Sequence, residues 1–124
     1  MFKITNTTKA PAAIGPYSQA IILNEILFTS GQIPIDPVTG EIVGNTIEEQ
    51  AEQVIKNLSA ILENAGSSFQ KVIKTTCYLS DMMNFNAFNQ IYANYFISKP
   101  ARSCVAVKEL PKKVLCEIEV IAEL

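Results

Sequence analysis

Between Thr46 and Gly66 apolar residues recur at helical spacing. Ile47, Ala51, Val54, Ile55, Leu58, Ile61, Leu62 and Ala65 fall on one face. Thr46 and Glu49 form a capping box ahead of them, and Gly66 supplies a stop behind them. A second helix is predicted over about residues 84–97, where Phe85, Phe88, Tyr92, Tyr95 and Phe96 line one side. Pro100 ends it. Elsewhere the period is two. Residues 19–31, QAIILNEILFTSG, read as two apolar strands meeting at Asn24-Glu25, and residues 71–79, KVIKTTCYL, as a third. Two more strands are joined by KELPKK. In the last of them Cys116, Ile118, Val120, Ala122 and Leu124 share one face, while Glu117, Glu119 and Glu123 share the other with Ile121. Residues 34–45 hold two prolines and two glycines and read as an ordered loop.

The element order is therefore ββ-α-β-α-ββ. Right-handed crossovers would lay both helices on one face of a mixed sheet. This is an α+β two-layer sandwich, and no linker or repeat divides it, so residues 1–124 are expected to form a single domain. The second face of the sheet is left bare. Its apolar positions, such as Val105 and Val107 or their neighbours, argue for burial against another subunit.

Composition narrows the function. Apolar residues make up 48% and charged residues 18%, a globular balance, and the net charge of −2 offers no basic surface for nucleic acid. No apolar run is long enough to span a membrane, and the N-terminus lacks the layout of a signal peptide. A cytosolic location is expected. Cys77, Cys104 and Cys116 are odd in number and widely spaced, which fits reduced, buried thiols. The chain has no histidine. That removes Ser-His and Cys-His nucleophile pairs and any imidazole-built zinc site. With only Asp36 and Asp81 as aspartates, a carboxylate-rich metal site is not expected either.

One cation stands apart. Arg102, in KPARSCVAV, is the chain's single arginine among nine lysines. A lone arginine more often makes a surface or interface ion pair. This one enters an apolar strand directly behind Pro100-Ala101, and a partly buried guanidinium needs an anion. Its planar fork grips a carboxylate with two parallel bonds, which an ammonium cannot do. Glu117 reads by alternation as a solvated strand residue. It could share a cleft with Arg102 if their strands paired as a hairpin, with a register the sequence leaves open. FTSGQIP (28–34) sets polar Thr29, Ser30 and Gln32 around Gly31, where a ligand could approach the backbone. Tyr17, in GPYSQA, suits a lid or a core plug. Together these residues suggest a small anionic ligand held by Arg102 near a polar loop.

Three blocks carry a wider resemblance: GPYSQA at 15–20, SGQIPIDPVTGEIV at 30–43 and PARSCVAVKELPKKVLCEIEVIA at 100–122. Through them the chain resembles the Rid family of reactive-intermediate deaminases, in its RidA type, over nearly its whole length. The resemblance implies a chorismate-mutase-like homotrimer with ligand clefts between subunits. It implies hydrolysis of 2-imino acids and their enamine tautomers, 2-aminoacrylate above all, to 2-oxo acids and ammonia. It links the protein to the pyridoxal-phosphate dehydratases that release such intermediates, and it calls for no cofactor and no metal. Arg102 matches the family's carboxylate anchor and Glu117 the residue that orients the attacking water. Tyr17, Ser30, Gly31, Asn89 and Cys104 match other cleft residues. The stretch before Pro100 is short for the type, which implies a reshaped cleft rim. Three other readings stand beside this one: a non-enzymatic trimer that binds 2-oxo acids or amino acids, an RNA-cleaving translation inhibitor, and a holdase.

Overall fold

A computed structural model describes residues 1–124. The elements in chain order are β1 (Lys3–Thr5), β2 (Ala20–Leu23), β3 (Ile26–Thr29), α1 (Ile47–Asn64), β4 (Val72–Leu79), α2 (Phe85–Tyr95), β5 (Ala101–Ala106) and β6 (Cys116–Glu123). The expected order is recovered with one addition, β1, which pairs antiparallel with β2.

Local chemistry explains the joints. Asn24 (φ 50°) and Glu25 (φ 64°) both take left-handed backbone between β2 and β3, with Leu23 opposite Ile26. This is the two-residue turn whose twist matches a hairpin. At the start of α1 the Thr46 hydroxyl accepts the Glu49 N–H at 3.2 Å and donates to the Glu49 carboxylate at 2.9 Å. Such a cap stabilises by about 1 kcal/mol. Past its end Gly66 sits at φ 84°, the Gly66 N–H donates to Glu63 O and the Ser67 N–H donates to Leu62 O. These paired bonds close the last turn on a position that favours glycine.

The strands form one sheet in the order β1-β2-β3-β6-β4-β5. β6 runs antiparallel to both β3 and β4, and β5 runs parallel to β4. The two C-terminal strands are therefore not a hairpin. β5 returns beside β4 through α2, as a parallel crossover requires, and β6 then fills the slot between β3 and β4.

One face of the sheet is the core. Leu27, Thr75, Cys77, Leu79, Cys116, Ile118, Val120 and Ala122 lie buried, and Val54, Leu58, Leu62 and Phe88 of the helices join the same core. Each fully buried aliphatic side chain contributes roughly 1.5–3 kcal/mol. The other face carries no helix. Across it Ile4, Ile21, Phe28 and Ile121 stand in register. Ile4 is 58% exposed, Phe28 41% and Val105 47%, so the bare face carries exposed apolar positions as expected, beside the carboxylates of Glu117 and Glu119.

The loop before α1 is held by amides on that helix. Asn57 donates to the carbonyls of Ile33 and Ile35 at 3.1 and 3.0 Å and accepts from Gln53 at 2.9 Å. Gln50 donates to Gly44 O at 3.1 Å and accepts the Leu115 N–H at 2.7 Å. One helix flank thus fixes both the 33–44 loop and the approach to β6. No helix is long and apolar enough to cross a membrane.

Candidate functional site

Arg102 pairs with Thr75, and Cys104 with Cys77, in the parallel register of β4 and β5. Thr75 and Cys77 belong to the core face, so Arg102 and Cys104 point to the helix side at the edge of the sheet. The Arg102 Nη1 donates to Asn89 Oδ1 at 2.6 Å. Its Cζ lies 4.7 Å from the centre of the Tyr92 ring and 5.6 Å from that of Phe85. No carboxylate of its own chain takes the fork. A cavity of about 440 Å³ opens beside it, lined in part by Asn89, Tyr92, Phe96, Ile97 and Pro100. Burial pushes the Cys104 thiol up, while the Arg102 charge pulls the other way. Burial pushes Cys77 and Cys116 up to about 12. Thiols held protonated are poor nucleophiles, so the cysteines serve here as apolar neighbours.

The second group of residues gathers around Glu117. Cys116 and Ile118 are buried under the helices, which turns Glu117 to the bare face. The Gln32 N–H donates to Ile118 O at 2.8 Å and the Ile118 N–H donates to Gln32 O at 3.1 Å. This bridge prolongs β3 along β6 and brings Gly31 against the Glu117 carboxylate, with which a Cβ on residue 31 would collide. Ser30 is tied down as well: its hydroxyl donates to Ser18 O at 2.6 Å and its N–H to Gln19 O at 2.8 Å. Tyr17, half exposed, lines one cavity with Gly31 and another with Ser30. Burial raises the Glu117 carboxyl above its ordinary value and the Glu119 charge adds to the rise. The Tyr78 hydroxyl, opposite Glu117 in register, donates instead to Glu119 at 2.6 Å. A half-buried carboxylate with a raised proton affinity is suited to general-base work.

The predicted residues thus fall into two groups. Arg102, Asn89 and Cys104 lie on the helix side of the β5 edge; Tyr17, Ser30, Gly31 and Glu117 lie across the sheet by the end of β3. A cleft shared by Arg102 and Glu117 within one chain is ruled out, because the two side chains leave opposite faces. Nowhere do three or more Cys, Asp or Glu side chains come together as a set for a metal ion.

The family model described as endoribonuclease L-PSP matches residues 7–124. The chain belongs to this family, the Rid proteins. It is 59% identical over 122 residues to AldR of Lactococcus lactis, named there as a candidate regulator, covering 98% of this chain and 97% of that one. It is 48% identical over 121 residues to a 2-iminobutanoate/2-iminopropanoate deaminase of Mus musculus, covering 97% and 90%. The crystal structure of E. coli TdcF with bound serine is similar at a TM-score of 0.93 and 44% identity, covering 98% of both chains.

In this Rid chain the close approach at Gly31 makes a direct prediction. Gly31→Ala should leave the fold intact, because the group that must move is the free end of the Glu117 side chain. Any activity that depends on the Glu117 carboxylate should fall on the order of 10-fold to 100-fold through misplacement. Thermal unfolding and initial rates, measured side by side, check this; a full rate would mean that the Glu117 position is immaterial. Two features of the Rid site escaped the sequence reading. Tyr92 and Phe85 read as core-facing aromatics at helical spacing, yet both pack on Arg102. Gln50 and Asn57 interrupt the apolar face of α1, and buried amides at such positions are the signal of a tethered loop.

Proposed function

We propose that this Rid protein hydrolyses 2-imino acids and their enamine tautomers to 2-oxo acids and ammonia, in clefts formed between copies of the chain. The observation that carries this reading is the Arg102 guanidinium, fixed by Asn89 and Tyr92 yet left without an anion of its own. A carboxylate-bearing ligand completes it. The name of the mouse relative and the serine bound by TdcF support a small amino-acid-like carboxylate.

The rest follows from the split site. Glu117 can reach a ligand on Arg102 only from another subunit, and the bare apolar face supplies the surface for that contact. A closed ring of three copies gives each subunit one donor and one acceptor side. The carboxylate sits on the Arg102 fork, next to Asn89 and Cys104 of its own subunit. Tyr17, Ser30, Gly31 and Glu117 come from the neighbour. Water adds to C2 of the protonated imine while Glu117 takes one of its protons, giving a carbinolamine. Glu117 returns that proton to nitrogen. The C–N bond breaks and ammonia leaves as the ionised Glu117 takes the hydroxyl proton and the C=O bond forms; that proton then passes to the ammonia, which departs as ammonium. Anchoring both partners makes the addition local rather than bimolecular.

A coupled assay with a serine or threonine dehydratase tests the reading. Ammonia should appear faster when the protein is added. No acceleration, together with normal binding of 2-oxo acids, would favour the regulatory role that the AldR name suggests. RNA cleavage fits less well, since the net charge is −2 and no histidine is present. Light scattering should give a mass about three times the 13.6 kDa of one chain. A mass near that of one chain would keep Arg102 and Glu117 apart and overturn the shared cleft.

A further inference from the structure

We propose that Tyr92 is a positioning residue: its ring is a shelf that sets the plane of the Arg102 guanidinium and so the direction in which the fork meets a carboxylate. The kinetic consequence rests on the deaminase reading; the shelf itself does not.

Four contacts define the shelf. The Arg102 Cζ stands 4.7 Å from the Tyr92 ring centre, within the range of a cation–π contact. The Tyr92 hydroxyl and Thr75 Oγ1 are 2.7 Å apart, and Thr75 is the residue beside Arg102 in the β4–β5 register. The latch and the arginine therefore spring from the same level of two adjacent strands. Phe96 stacks on Tyr92 at 4.2 Å and 19°, and Phe69 meets Phe96 edge-on at 5.1 Å. With Phe96 packed against it and the hydroxyl latched, the Tyr92 ring is held in place.

Spacing on α2 makes this one device. Phe85, Asn89 and Tyr92 fall at i, i+4 and i+7, a single helical stripe running along the arginine, and Phe96 follows as the residue that caps the helix. Asn89 takes a hydrogen of Nη1, which leaves the Nε–Nη2 edge whole for a two-bond grip. Arginine has several rotatable bonds, and holding them before the ligand arrives removes an ordering cost from binding. A phenylalanine would supply the same ring. The tyrosine hydroxyl adds the latch to Thr75, which is 0% exposed and whose hydroxyl otherwise meets only the Cys77 thiol at 4.0 Å.

The chain's single arginine makes the test clean, because its Nε–Hε group gives one resonance in a nitrogen-correlated NMR spectrum. In the wild type that resonance should be displaced by the ring current and slow to relax. Tyr92→Leu should move it towards the position of a free arginine, leaving only the smaller effect of Phe85 at 5.6 Å. The same variant should weaken binding of 2-oxobutanoate, an unreactive probe, by about 3-fold to 30-fold. Tyr92→Phe, which keeps the ring and cuts the latch, should restore most of the binding and part of the displacement, with the resonance still shifted or broadened from that of the wild type. A side chain that only fills space would lower the melting temperature in Tyr92→Leu without moving the resonance, and that result overturns the proposal. If Tyr92→Leu does not fold, Thr75→Val decides: it cuts the latch and keeps every ring, so the resonance must shift or broaden, and an unchanged one overturns the shelf. Wild-type protein that binds 2-oxobutanoate but frees no ammonia from imines defeats the deaminase reading alone; the resonance still judges the shelf.

Discussion

Arg102→Ala should abolish imine hydrolysis and the binding of unreactive 2-oxo acids together. No second guanidinium exists to take over, and a hydrogen bond to a charged group contributes roughly 1.5–3 kcal/mol. Losing a two-bond grip should therefore lower kcat/KM on the order of 100-fold or more. Arg102→Lys should recover little. It keeps the charge, but an ammonium has no plane to stack on an aromatic ring and does not offer two parallel donors. Asn89 would also lose its partner at 2.6 Å, so circular dichroism and the oligomer mass serve as controls. A folded, trimeric Arg102→Ala protein that hydrolyses 2-aminoacrylate near the wild-type rate would place the anchor elsewhere.

Glu117→Gln should have the opposite profile: binding kept, turnover slowed by about 10²-fold to 10⁴-fold. The change is nearly isosteric, and glutamine cannot accept the proton of the attacking water. The wild type should also show an acid limb. Burial first, and the Glu119 charge second, raise the Glu117 carboxyl above its ordinary value. The base works ionised, so kcat/KM should fall as pH drops through a midpoint above the usual carboxylate range. That limb should vanish in Glu117→Gln. A pH–rate series on both proteins checks the sign; an acid limb that survives in the variant would belong to another group.

How much of this could be read in the chain depends on how local the information is. The limits of α1 were legible because Thr46, Glu49 and Gly66 act within one helical turn of themselves. The faces of β6 were legible because alternation is a property of one strand. Which strand lies beside which is not local. Nothing in KPARSCVAV or CEIEVIAE says that β4 comes between them, so Arg102 and Glu117 could be imagined in one cleft when they leave opposite faces. β1 escaped because three residues are too few for a period of two to show. Arg102, Glu117, Tyr17 and the 28–34 loop stand out in the sequence itself, while Asn89, Cys104 and the role of each residue come only from the resemblance to the family. Tyr92 was legible as a core aromatic but not as a shelf, since its task depends on Thr75, 17 residues away in the chain.

The placement of Arg102 and Glu117 on opposite faces has a consequence for inheritance. If every cleft takes its anchor from one copy and its base from the next, two dead alleles need not make a dead cell. Mixed trimers of Arg102→Ala and Glu117→Gln chains would contain clefts built from the two undamaged halves, about a quarter of all clefts when equal amounts assemble at random. Either allele paired with itself would contain none. Extracts of cells carrying both should therefore release ammonia from 2-imino acids, where extracts of cells carrying only one do not.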